Sequence, residues 1–170
     1  MKRPSILIAG VGNIFFGDDG FGVEVAQQLS QREMPDEVKV VDFGIRGFDL
    51  LYALLDGYDV TILIDATPRG GEPGTVYKIE PDLSGLDDLD AQAMMVEPHG
   101  MNPMKVLAMV KSMGGEFKQI FLVGCEPAAL GSEEEGQMGL SEPVRAAVAE
   151  AIELIESLIT SILGRERKTE

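Results

Sequence analysis

Strand-like apolar runs alternating with helix-like stripes predict an α/β chain in three layers, a mostly parallel, twisted sheet between two helical layers. Three observations carry this expectation. The runs at residues 6–9 (Ile-Leu-Ile-Ala), 60–65 (VTILID) and 119–124 (QIFLVG) are solidly apolar, as strands covered on both faces are. The stretches between them place apolar residues three and four apart, the period of a half-buried helix. Gly- and Pro-rich segments separate the two kinds of element.

The elements follow in order. Residues 6–9 form the first strand and lead into a glycine-broken turn, Gly10-Val11-Gly12-Asn13, that ends on the acid pair Asp18-Asp19. Residues 22–31 form a helix with the stripe Phe21, Val25, Ala26 and Leu29, closed by the segment Met34-Pro35-Asp36-Glu37. A second strand covers residues 38–42 and stops at Asp42. A short helix at residues 47–55 carries Phe48, Leu51, Leu54 and Leu55. The third strand, residues 60–65, stops at Asp65, and a Gly- and Pro-rich loop follows. Residues 75–79 alternate in polarity, which marks an edge strand. Asn102-Pro103 opens a helix over residues 104–113 that Gly114-Gly115 ends. After the last buried strand, an acidic loop spans residues 125–139. Ser141 is placed to cap a final helix, with Pro143 in its first turn and its stripe running to about Leu163.

A chain of 170 residues that is 45% hydrophobic can bury one substantial core, so residues 1–170 read as a single domain with 164–170 as a tail. The net charge of −15 repels phosphate backbones and argues against nucleic acid as a partner. No apolar run is long enough to span a bilayer, and the amino terminus lacks the apolar stretch of a signal peptide. Cys125 is the single cysteine, which suits a reducing compartment. The expectation is a soluble, cytoplasmic protein.

In an open α/β sheet, sites gather at the carboxyl ends of the strands. Asp18-Asp19, Asp42 and Asp65 all fall there. A nucleotide reading of Gly10, Gly12 and Gly17 fails on spacing, because the third glycine stands five residues after the second instead of three, and no Gly-Lys-Ser or Gly-Lys-Thr follows. Helix capping accounts for one acid of the Asp18-Asp19 pair but leaves the other close to a like charge. Asp65 ends a run buried on both faces, so it needs a hydrogen-bond partner or a metal. Asp42 has the weaker context and reads as structural. The one histidine, His99, is either structural or a ligand, and lies in a Gly- and Pro-flanked loop. Two carboxylates and an imidazole form a first shell for a divalent metal with positions left open, which suits metal-assisted hydrolysis. A thiol mechanism pairing Cys125 with His99 is disfavoured by nearby acids that raise the thiol. Six of the nine methionines fall within residues 94–113; Met109 and Met113 read as core, and Met94, Met95 and Met101 as walls of an adaptable groove.

The stretches ILIAGVGNIFFGDDGFGVEVAQQL, VVDFGIRGFDLL, ILIDA and PHGMNPMKVLAM, with LVGCEPAALG and GLSEPV behind them, resemble in this order the endopeptidases that mature NiFe hydrogenases. The resemblance implies a five-stranded sheet with one antiparallel edge strand. It also implies a metal-dependent, aspartic-type or metallo endopeptidase that removes the C-terminal extension of a nickel-loaded large-subunit precursor. On that likeness the metal-binding and catalytic positions are Asp19, Asp65 and His99, and nickel arrives with the precursor. The alternative is a non-catalytic metal- or peptide-binding module with the same ligands. Two departures stand out: Asp42-Phe43-Gly44-Ile45 replaces the Asp-Gly-Gly-Thr of many relatives, and residues 132–136 have no counterpart. The first removes the basis for carrying a substrate role over to Asp42.

Overall fold

The computed structural model describes residues 3–84, 102–130 and 138–165. Five strands form one sheet: β1 (Ile6–Val11), β2 (Val38–Gly44), β3 (Val60–Ala66), β4 (Val76–Ile79) and β5 (Gln119–Cys125). Their order is β2-β1-β3-β5-β4. All neighbouring pairs are parallel except β4 with β5, where Val76 faces Cys125 and Ile79 faces Leu122 in antiparallel register. Among the described residues the helices are α1 (Phe21–Ser30), α2 (Gly47–Leu55), α3 (Pro103–Ser112) and α4 (Glu142–Arg165). The mostly parallel sheet and its edge strand are as the sequence predicts, and the antiparallel direction of that edge is as the resemblance implies.

Strand periodicity explains the two cores. Successive side chains of a strand point to opposite faces. Ile6 and Ile8 of β1, Ile62 and Ile64 of β3, and Phe121 and Val123 of β5 join one core with α1 and α4. Leu7, Ala9, Leu63 and Ile120 join the other with α2 and α3. Both faces are covered, so the central strands are apolar without alternation. On α4 the buried stripe runs from Val144 through Ile152 to Ile162.

Boundaries depart from expectation in small ways. β2 continues two residues past Asp42 to Gly44, and β3 one residue past Asp65 to Ala66. Both acids therefore lie within the strands, where the ladder fixes their backbone. Helix α4 extends to Arg165, so the first two residues of the expected tail are helical. Asn102 caps α3 as its type suggests, its side chain accepting from Met104 N at 3.0 Å. Ser141 does not cap with its hydroxyl. Its carbonyl accepts from Arg145 N at 2.8 Å, while the hydroxyl donates to Asp18. No helix among the described residues is long and apolar enough to cross a membrane.

The chain leaves β1 toward β2 on one side and returns to β3 on the other, so β1 and β3 flank the switch point of the sheet. Helix α1 is pressed onto this point backbone to backbone. A Cβ on Gly22 would lie 2.1 Å from the Ile64 carbonyl oxygen and 2.4 Å from that of Val11. From the other side, a Cβ on Gly10 would lie 2.3 Å from the Gly22 oxygen. Any side chain here moves the helix off the strand ends. Gly22→Ala is expected to destabilise the fold by at least about 2 kcal/mol, the scale of overpacking. The midpoint of urea unfolding checks this, and a midpoint equal to that of the parent protein refutes it.

Candidate active site

The loop from β1 to α1 is tied by its own backbone. Asn13 starts it with an Asx turn, Phe15 N donating to its Oδ1 at 2.9 Å, and Phe16 N reaches Asn13 O at 3.1 Å. The loop ends in a single 3-10 turn, Asp18–Gly20, whose backbone folds over Gly12. Gly12 has φ +136°, and a Cβ there would lie 1.9 Å from the Asp19 carbonyl oxygen, so only glycine fits.

Three residues per turn set neighbouring side chains about 120° apart, which separates the two aspartates. Asp19 turns toward the end of β3, its Oδ2 accepting from Asn13 N at 2.8 Å. Asp65 stands at that end, its Oδ1 accepting from Ala66 N at 2.8 Å. The two carboxylates repel one another across the switch point. Burial, and then the charge of Asp19, push the Asp65 carboxyl well above the ordinary 3.8. Burial also raises Asp19, against the bond from Asn13 N. The neighbouring Asp18 has no part in that rise.

Asp18 is buried, 1% exposed, and structural. Burial works to raise it, but bonds from the Ser141 backbone, Ala129 N, the Ser141 hydroxyl and Ala128 N outweigh burial and hold it below 3.8. Asp42 accepts from Gln27 Nε2 at 3.2 Å, and its carbonyl accepts from Arg46, so it braces β2 against α1. As the sequence predicts, a thiol mechanism is disfavoured: Cys125 is fully buried, and burial, with Asp18, Glu150 and Glu126 nearby, pushes its thiol up to about 12. Residues 94, 95, 99 and 101, and the acidic segment 132–136, lie outside the described residues. The structure thus brings Asp19 and Asp65 together and leaves Asp42 and Cys125 with structural parts. Among the described residues no three His, Cys, Asp or Glu side chains form a metal-binding group. Asp19 and Asp65 nonetheless fit a divalent cation chemically, being paired oxygen donors whose repulsion a cation relieves.

One functional-looking feature escaped the sequence reading. Glu126, 4% exposed, accepts from Arg69 N at 2.7 Å and so fastens the loop that follows Asp65. An acid directly after a buried strand and before a proline is the only local sign of it.

The Asp65 shift has a defined consequence for stability. The folded state holds the Asp65 proton more tightly than the unfolded chain does. Below about pH 4 both states are protonated and there is no penalty. As pH rises from there through the folded-state value, the stabilisation is lost. Asp65→Asn keeps an acceptor for Ala66 N and removes the charge. In chelator, thermal unfolding of this variant is expected to match the parent near pH 4 and to exceed it at pH 7 by a few degrees, at about 2–4 °C per kcal/mol. A variant that melts lower at pH 7 refutes the repulsion.

Residues 23–158 match the family described as hydrogenase maturation protease. A protein of Methanocaldococcus jannaschii assigned to the hydrogenase maturation proteases is 35% identical over 91% of this chain and 96% of its own length. The hydrogenase 2 maturation peptidase of Thaumarchaeota archaeon SCGC_AB-539-E09 is 35% identical, with a TM-score of 0.66 over 92% of this chain and 98% of that one. The hydrogenase maturating endopeptidase HybD of E. coli superposes with a TM-score of 0.70 at 28% identity, over 92% and 93% of the two chains. The chain belongs to the hydrogenase maturation protease family.

Proposed function

We propose that this protein is the endopeptidase that removes the C-terminal extension of a NiFe-hydrogenase large-subunit precursor, and that the nickel it requires arrives in that precursor. The convergence of Asp19 and Asp65 at the switch point is the observation that carries the reading. Their matching to the family's ligand positions supports it, with His99 as the third.

The ligands have distinct supports. Asn13 N holds one oxygen of Asp19 at the end of β1. Ala66 N holds one oxygen of Asp65 from within the strand end. With no cation present, burial and repulsion favour a proton on the pair. A divalent ion competes with that proton and offers a larger gain, so the site discriminates a metal-loaded precursor from an empty one. When bound, the metal supplies polarisation of the scissile carbonyl or activation of a water. A buried single thiol suits a reducing cytoplasm as the place of reaction.

Incubation with nickel-loaded and nickel-free precursor, read by mass spectrometry, tests the reading. Loss of the extension is expected from the loaded precursor alone. Asp19→Ala and His99→Ala are expected to slow it by about 100-fold or more, the scale of several kcal/mol of metal assistance. A stable complex without cleavage would favour the binding module, and wild-type cleavage by His99→Ala would remove that residue from the ligand set.

A further inference from the structure

We propose that Asp18 is a positioning residue for the Asp19–Asp65 pair, acting through a strap of residues 125–129 that joins the loop carrying Asp19 to the loop that follows Asp65. The inference rests on the reading above only where it concerns metal and cleavage. Asp18 and Glu126 are the charged side chains buried among the described residues, and both lie on this strap or against it.

On one side the strap holds the loop of Asp19. Ala128 N and Ala129 N donate to Asp18 Oδ2 at 2.8 and 3.1 Å, and Asp18 N donates back to Ala129 O at 3.2 Å. Ser141 closes the ring, its N reaching Oδ1 at 2.7 Å and its hydroxyl reaching Oδ2 at 2.8 Å. On the other side the strap holds the loop after Asp65. Thr67 N donates to Cys125 O at 2.8 Å, Arg69 N to Glu126 Oε2 at 2.7 Å, and Gly74 N to Glu126 O at 2.8 Å. Glu126 N donates to Thr75 O at 2.8 Å. The separation of Asp19 from Asp65 is therefore set from behind, by groups that touch neither carboxylate.

A carboxylate is the fitting group at position 18. All four partners are donors, so the site wants acceptors only, and an amide would aim an N–H at one of them. Asp18 and Asp19 are consecutive in one tight turn. Loosening the first frees the second from Asn13 N.

Two variants and two kinds of readout test this. Asp18→Asn keeps the shape and turns one acceptor into a donor; Ser141→Ala removes the hydroxyl bond alone. In the protein without metal, hydrogen exchange at the Asn13 amide is expected to quicken by about 10-fold or more in Asp18→Asn, and by about 3- to 10-fold in Ser141→Ala. Amides of β3 should keep their protection in both. Cadmium affinity measured by calorimetry is expected to fall by about 10- to 100-fold in Asp18→Asn, and kcat for the loaded precursor to fall with KM little changed. An unchanged Asn13 exchange rate in folded Asp18→Asn overturns the proposal, as does a general rise in exchange across β3. Should Asp18→Asn not fold, the Ser141→Ala exchange rate decides by the same criterion. A parent protein that neither binds cadmium nor cleaves precursor would refute the proposed function, and the Asn13 exchange would still decide the role of Asp18.

Discussion

The closeness of α1 to the ends of β1 and β3 is the constraint on which the rest depends. Gly22 lies against the carbonyl oxygens of Val11 and Ile64 with no room for a side chain on either side. This contact lets a loop of only nine residues, 12–20, turn back across the crevice between two parallel strands. Were the helix raised by the width of a methyl group, Asp19 would move off the end of β3. The apolar stripes then keep the helix in place, with Phe21, Val25 and Leu29 buried against Ile6, Ile62 and Ile64. Hydrophobic burial provides the bulk of the stabilisation, and the glycines determine where it brings the acids.

That placement works against stability locally. Two carboxylates face each other in a partly desolvated crevice, and Asp65 bears most of the cost as a raised carboxyl. A fold selected for stability alone would put an amide or an apolar residue there. The retained repulsion makes physical sense where a cation is to be received, because the ion removes the penalty as it gains its ligands. The affinity for the ion and the instability without it have the same source.

Much of this fold was legible in the sequence, for a definite reason. The strands at residues 6–9, 60–65 and 119–124 are covered on both faces, so their apolar runs are uninterrupted and easy to find. Residues 75–79 alternate because β4 is an edge with one face partly open. The strand ends were less legible, since an acid within a parallel ladder looks like an acid just beyond it. Asp42 and Asp65 both mislead in this way. Of the site, Asp65 could be found because a carboxylate at the end of a buried run requires explanation. The separate tasks of Asp18 and Asp19 could not. Asp18 finds its partners 110 to 123 residues away, at Ala128, Ala129 and Ser141, and no local pattern encodes such contacts. For the same reason Ser141 looked like a cap, when its hydroxyl serves the distant acid instead.

The two adjacent aspartates show how one dipeptide supplies both parts of a site. Donors surround Asp18, and its carboxyl is held low; Asp19 has one donor among the described residues, and its carboxyl is raised. The difference arises from the turn, which sends one side chain to the start of α4 and the other to the crevice. The first arrangement bears on the second. Like charges at the end of a loop would relax by swinging apart into solvent, since a loop backbone yields more readily than a strand. Asp65 cannot move, because its backbone lies in the ladder opposite Gly124. Only the loop of Asp19 could give way, and this is the loop that Asp18 fastens with four hydrogen bonds, two from the strap and two from Ser141. An anion buried among fixed donors thus keeps its neighbour where repulsion would otherwise drive it out.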